Sequence, residues 1–228
     1  MYRIRPATIA RTLPRSHVGI YSRPLISATQ MRFQSSSPRV SESVKRDHRE
    51  LEKCYNNMMV GKDLDTIKRW QNQFTWELAR HSVAEEIVVY PAFETHLPNG
   101  MDMAEKDRAQ HQSVKEQLYT FQDMDPASSE FMPTLQAMWA TLTDHFKEEE
   151  SKDLPALEQA LDESESQELA MSFSRTKHFV PTHSHPDAPN KPPYETVAGM
   201  LTTPMDKMKD MFRKFPKEEK GGGSIMIG

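Results

Sequence analysis

The chain has 228 residues and a formal net charge of −4, yet residues 1–41 hold seven Arg and no Lys, Asp or Glu, so residues 42–228 carry −11. An acidic body argues against nucleic acid as a partner, and a single cysteine excludes internal disulfides and thiolate metal clusters. No apolar run approaches the roughly 18 residues of a membrane-spanning helix.

Residues 1–34 read as a mitochondrial presequence, with the matrix as destination. Arg3, Arg5, Arg11, Arg15, Arg23 and Arg32 stand among Ser, Thr and Ala without an acidic residue. Arg32-Phe33-Gln34-Ser35 looks like a processing site. A basic arm for nucleic acid or membrane is the poorer account, since such an arm usually includes Lys and the first is Lys45.

Helix breakers divide residues 40–174. A first helix is predicted over about 41–59, with Cys54 as a small core residue and Gly61 as its C-terminal cap. Asp63 caps a second, which carries Ile67, Trp70, Phe74, Leu78, His81, Glu85, Val88 and Val89 at spacings of three and four until Leu97-Pro98-Asn99-Gly100. A third covers about 102–122, with Ala104, His111, Val114, Leu118 and Phe121 on its inner side. The fourth starts near Pro133, carries Leu135, Met138, Leu142, His145 and Glu149, and is kinked at Pro155. A last segment, about 162–173, packs across one end. No alternating strand pattern occurs, so the fold class is all-α, and short connections favour an up-down-up-down four-helix bundle.

Residues 175–228 form a Pro-rich tail, with Pro181, Pro186, Pro189, Pro192 and Pro193 interrupting any helix and a flexible Gly221-Gly222-Gly223 end. A short amphipathic helix is expected there, with Thr203 as N-cap, Pro204 at the first position, and Met205, Met208, Met211, Phe212 and Phe215 along one side. That side docks on the bundle, on a partner, or peripherally on a membrane through residues 204–215.

The chemistry lies in a phrase that occurs twice. His81-x3-Glu85-Glu86-x4-Pro91-Ala92-Phe93-Glu94 returns as His145-x3-Glu149-Glu150-x4-Pro155-Ala156-Leu157-Glu158. A His and a Glu four apart share one helix face. His48 stands 33 residues before His81, and His111 stands 34 before His145, so two helix pairs each offer two His and one Glu. These positions fall on the apolar stripes, where an unpaired carboxylate is costly and a cation supplies the missing charge. Six candidate ligands result: His48, His81, Glu85, His111, His145 and Glu149. Bridging Glu and two His per metal leave room for an oxide or hydroxide bridge and an open position. This donor set suits two iron ions best and manganese next. Glu86 and Glu150 project about 100 degrees away, onto a polar face or behind the ligands.

This ordered set resembles the hemerythrin-like family, or HHE cation-binding domain, over about residues 40–160. The resemblance implies a four-helix bundle with a non-haem diiron centre, His48 and His81 on one iron, His111 and His145 on the other, and Glu85 and Glu149 bridging. Lys115 stands where oxygen carriers of the family have a further His one turn after the third-helix His. The four-His pattern is more similar to bacterial diiron proteins linked to iron-sulfur repair and nitric-oxide stress, and to eukaryotic iron-sensing domains. The function expected is binding or sensing of oxygen, nitric oxide or peroxide, or holding iron for delivery or repair. The rivals are a diiron oxidase, peroxidase or nitric-oxide reductase, and a metal-free helical scaffold that recruits a partner through the Met-rich tail. Lys115 is expected to pair with a carboxylate such as Glu85 or Glu149, and Tyr55 or Tyr119 to line the pocket or the core. His96, His178, His183 and His185 have no assigned role.

Overall fold

The structure, a computed structural model, describes residues 37–192 and 194–217. The expected presequence and the Gly-rich end lie outside these residues. Among the described residues every regular element is helical. Helix α1 (Val40–Met59) is followed by α2 (Leu64–Ala84), a π-helical segment (Glu85–Val89) and α3 (Tyr90–His96), which continue one another. Helix α4 (Gly100–Phe121) precedes α5 (Phe131–Glu148), a second π-helical segment (Glu149–Asp153) and α6 (Leu154–Ala160). Helix α7 (Glu163–Thr176) and α8 (Tyr194–Asp210) complete the set. Four antiparallel columns result, α1, α2–α3, α4 and α5–α6, as an up-down-up-down bundle.

Local chemistry explains most boundaries. Asp63 accepts from the Thr66 backbone N–H at 2.8 Å and caps α2. Asp162 and Glu165 form a reciprocal capping box at the start of α7. Helix α1 ends differently from expectation. Val60 is its C-cap, with its N–H donating to Asn56 O, and Gly61 is not left-handed. Gly61 instead admits Ile67, since a Cβ there would lie 2.5 Å from Ile67 Cγ1. Gly100 has a stricter role at the α3–α4 corner, where a Cβ would meet Phe93 O at 1.7 Å.

The two π segments follow from the repeated Pro. Pro has no N–H and its ring collides with the carbonyl four residues back, so the helix ahead of it widens. Tyr90 N–H donates to Glu85 O and Leu154 N–H to Glu149 O, each five residues back. A disturbance was expected at Pro155; the segment ahead of Pro91 is its counterpart in the first half, and both begin at the Glu of the repeated phrase.

Two apolar clusters fill the interior. One holds Leu51, Phe74, Leu78, Leu118, Leu135 and Leu142. The other holds Val44, Val89, Tyr90, Phe93, Leu154 and Phe173. The six candidate ligands lie at sequence positions between them, forming a polar layer in the bundle. Cys54 is buried in the first cluster as expected, and burial pushes its thiol up to about 12.

The tail packs back on the bundle. Ser184 Oγ donates to Lys115 O, Ser184 N–H to Gln122 Oε1, and Asn72 Nδ2 to Lys214 O. Its helix departs from expectation in two ways. It begins at Tyr194, with Pro204 inside it, and Thr203 is no cap because its hydroxyl donates to Phe179 O at 2.9 Å. The Met-rich side also faces outward. Met205, Met208, Met211 and Phe212 are exposed, whereas Asp206 is fully buried, accepting from the backbone of Thr182 and His183 and facing His185 Nε2 at 2.9 Å. Phe215 alone of that side meets the bundle, edge-on to Trp76. Polar partners on the docking surface outweighed the apolar stripe. No helix among the described residues is long and apolar enough to cross a membrane.

Candidate metal centre

The structure brings all six candidate ligands into one buried layer, each at most 2% exposed. The rings of His48 and His81 are 4.9 Å apart between centroids, and those of His111 and His145 are 4.8 Å apart, so two equivalent His pairs face each other. Glu85 Oε2 lies 3.3 Å from His81 Nε2 and 3.4 Å from His111 Nε2. Glu149 Oε2 lies 3.3 Å from His48 Nε2 and 4.0 Å from His145 Nε2. Each carboxylate therefore stands between imidazoles of opposite pairs. Two groups, His48 with His81 and Glu85, and Glu85 with His111 and His145, offer donor atoms within 4.8 Å of one another, so each could hold an ion.

The unsatisfied atoms test the fit. Both oxygens of Glu85 and of Glu149 are buried without a hydrogen-bond partner, as are Nε2 of His48 and both ring nitrogens of His81. Buried polar groups are ordinarily paired, and a carboxylate left otherwise costs several kcal/mol, on the order of a whole fold's spare stability. These residues fit a bound cation.

Burial and neighbouring charges shift these groups in both directions. Burial pushes His81 down to about 4, and burial with His111 beside it pushes His145 down to about 3, so both are neutral, the ligating form. Burial, with Glu149 beside it, holds Glu85 well above the usual carboxylate range. Against the cost of burial, His48 and His145 hold Glu149 down to about 2. Against the same cost, Glu149 and Glu150 raise His48.

A second set of groups holds the rings from behind. His48 Nδ1 meets Glu150 Oε1 at 2.8 Å, and His111 Nδ1 meets Glu86 Oε1 at 3.2 Å. His145 Nδ1 meets Gln110 Oε1 at 2.8 Å, and His81 Nδ1 faces Asp47 Oδ2 at 3.6 Å. The pattern follows the repeat. The residue after each Glu of the phrase serves the opposite first His, and the residue before each first His serves the second. An acceptor at Nδ1 places the proton there and leaves the Nε2 lone pair for an ion. Glu86 and Glu150 thus lie behind ligands across the bundle, and Asp47 and Gln110 were not singled out by the sequence. The signal was their adjacency to His48 and His111.

Lys115 pairs with a carboxylate as expected, but the partner is Glu86 and not Glu85 or Glu149; its Nζ lies 2.5 Å from Glu86 Oε2, one turn beyond His111. Tyr55 stacks on Trp139 against the core, one of the two places expected for it, whereas Tyr119 is exposed, so neither lines the layer. Tyr90 does instead, with its hydroxyl 2.9 Å from His111 Nε2. Its counterpart in the repeat is Leu154, so the one polar exception in that register was the available signal. Helix α7 also contributes, through Phe173 edge-on to His81 and Lys177 Nζ on Asp47 Oδ2 at 2.5 Å. His183 is buried beside Asp206 and Asp210, away from the layer.

A helical bundle whose core layer offers four imidazoles and two carboxylates around spaces fit for cations defines a metal-binding class of protein. The family model described as the hemerythrin HHE cation-binding domain matches residues 39–157, and the chain belongs to this hemerythrin-like family. It is 56% identical over 179 residues to a Schizosaccharomyces pombe protein named as an uncharacterized hemerythrin-like protein, covering 78% of this chain and 88% of that one. It is 21% identical over 163 residues to a Nostoc sp. protein named DNA nickase, covering 72% of this chain and 46% of that one. No solved structure matches the chain.

Proposed function

We propose that the chain holds two iron ions, His48 with His81 on one, His111 with His145 on the other, and Glu85 and Glu149 bridging. The observation that carries this is the placement of each unpartnered, buried carboxylate between imidazoles of opposite pairs. Mixed imidazole and carboxylate donors suit iron, then manganese, better than four-coordinate zinc or the all-oxygen sites of calcium and magnesium. When bound, iron with an open position supplies redox chemistry toward oxygen, nitric oxide or peroxide. The chain's own residues orient and shelter it: Glu86, Glu150 and Gln110 fix three of the rings through Nδ1, Asp47 faces the fourth, and Phe146, stacked on His48 at 3.8 Å, covers it. The function that fits is binding or sensing of such small oxidants, or holding iron for delivery or repair.

Iron content tests the site. The purified domain is expected to carry two irons per chain. Glu85→Ala or Glu149→Ala should lose most of the second iron, and His48→Ala mainly one. Full, equal retention in all three variants would mean the ligands are misassigned.

An oxidase, peroxidase or nitric-oxide reductase is the second reading, favoured by the Tyr90 hydroxyl beside His111, a proton donor within the layer. Sustained turnover separates it from a sensor. A metal-free scaffold is a poor account of two unpartnered buried carboxylates. DNA nicking is not carried over from a relative of 21% identity.

Two His on each side make both ions similarly accessible, so reversible oxygen carriage is not expected. Mixing the reduced, iron-loaded protein with oxygenated buffer should give the oxidised absorption spectrum, unchanged when oxygen is withdrawn. Reversion to the reduced spectrum would restore the carrier reading.

The mitochondrial matrix is the proposed location, on the strength of seven Arg without an acidic residue in residues 1–41. A fluorescent protein fused behind residues 1–40 should enter mitochondria; cytosolic fluorescence would refute this. Peripheral membrane contact through 204–215 is supported by the exposed Met205, Met208, Met211 and Phe212 beside Lys207 and Lys209.

A further inference from the structure

The internal repeat supplies its own control for what the bundle requires, and at one level the halves disagree. Counting from the candidate ligands, Asp107 stands four residues before His111 and Asp153 four after Glu149. The same counts from His48 and Glu85 reach Val44 and Val89, both fully buried in an apolar cluster. Two valines therefore satisfy the packing in the first half where the second half buries two acids. Helices α4 and α5 run antiparallel, so one turn before His111 and one turn after Glu149 lie at the same end of the layer.

Neither acid has the partners that would explain it as structure. Asp107 is 2% exposed, and its Oδ2 is buried without a hydrogen-bond partner. Asp153 is 7% exposed and forms no ion pair, although Lys106 and Lys152 are close enough to act on it. Those two lysines pair with Glu148 instead, at the outer rim. Exposure of the carboxylates climbs from Glu149 at 0% through Asp107 and Asp153 to the Glu148 side chain at 26%. The groups also sense one another. Burial, then Glu149 and Asp153, push Asp107 up to about 8, and burial, then Glu149 and Glu148, push Asp153 up to about 6. Such mutual repulsion in a buried place is what a passing cation relieves.

We propose that Asp107 and Asp153 form a transit site for a divalent cation, ferrous iron on the reading above, between the bundle surface and the dinuclear centre. The site rests on that reading but is distinct from the six ligands. Carboxylates with water suit a cation held loosely enough to move on, whereas imidazoles at the centre retain it. The first half, with Val44 and Val89, is closed to ions at the corresponding level, so entry is one-sided.

The test is the rate of anaerobic ferrous-iron uptake by the full-length apoprotein, sampled by quenching with a chelator, in parent and Asp107→Val/Asp153→Val protein. The substitutions install the residues of the other half. Uptake should slow by about tenfold or more, as expected when a charged entry is neutralised. Final iron content should be unchanged, and the apo variant should melt above the parent because two unpartnered buried acids are gone. If the Val variant does not fold, Asp107→Asn/Asp153→Asn carries the same comparison. Equal uptake rates would overturn the proposal while leaving the dinuclear centre standing. Reduced final iron would also overturn it, because the acids would then be ligands of the centre. A parent that takes up no iron would overturn both readings.

Discussion

Ferrous iron added anaerobically to the apoprotein should raise its melting temperature by about 10–20 °C when free iron is near a hundred times each dissociation constant. An ion that binds only the folded chain stabilises it by about 2.7 kcal/mol per site at that excess. A domain of this size gains roughly 2–4 °C per kcal/mol. The physical source is specific. Four carboxylate oxygens of Glu85 and Glu149 lie buried without hydrogen-bond partners, and a bound cation would relieve them. Calorimetry with and without a chelator makes the measurement, and the shift should vanish in Glu85→Ala/Glu149→Ala protein. A parent melting temperature that does not respond to iron would exclude a buried site.

Replacement of Lys115 should be the most damaging single change outside the ligands. Lys115 is 7% exposed and its ammonium lies against the fully buried Glu86, which in turn meets His111 Nδ1. Removing one partner of a buried pair costs about 3–5 kcal/mol, because the other charge stays behind. Lys115→Leu is therefore expected to destabilise the apoprotein by that amount in denaturant unfolding. Glu86→Gln/Lys115→Met should lose much less, since no buried charge is stranded. The effect reaches the site, because Glu86 holds the His111 ring; Lys115→Leu should lose iron from the His111 and His145 pair first. Additive losses from the two single changes would show that the pair is not coupled. The ion pair also accounts for the chain's departure from the oxygen-carrier pattern. Lys115 serves the carboxylate behind a ligand and is not itself a donor to the layer.

Much of this molecule was legible in the sequence because the relevant physics is local. Helices follow a period of 3.6 residues, so spacings of three and four in Phe74, Leu78, His81 and Glu85 placed a ligand and its apolar neighbours on one face. Pro and Asp at element ends predicted boundaries to within a few residues, and the repeated phrase marked the six residues that the structure gathers into one layer. What lies between helices was not legible. Lys115 could have met any of several acids, and helix rotation, altered by the π segments at Glu85 and Glu149, gave it Glu86. Docking between helices brought Asp47, Gln110, Glu86 and Glu150 behind the rings, and Tyr90 beside His111. The tail shows the limit most plainly. Its amphipathic stripe was correctly periodic, but a stripe does not say which side will find a partner. The buried hydrogen bonds of Asp206 with Thr182 and His183 turned the Met side outward. Sequence alone determined the helices, their apolar faces and the six residues that meet in one layer. Only the tertiary structure decided which charges meet, because that depends on how neighbouring helices rotate and dock, which no spacing within a single helix encodes.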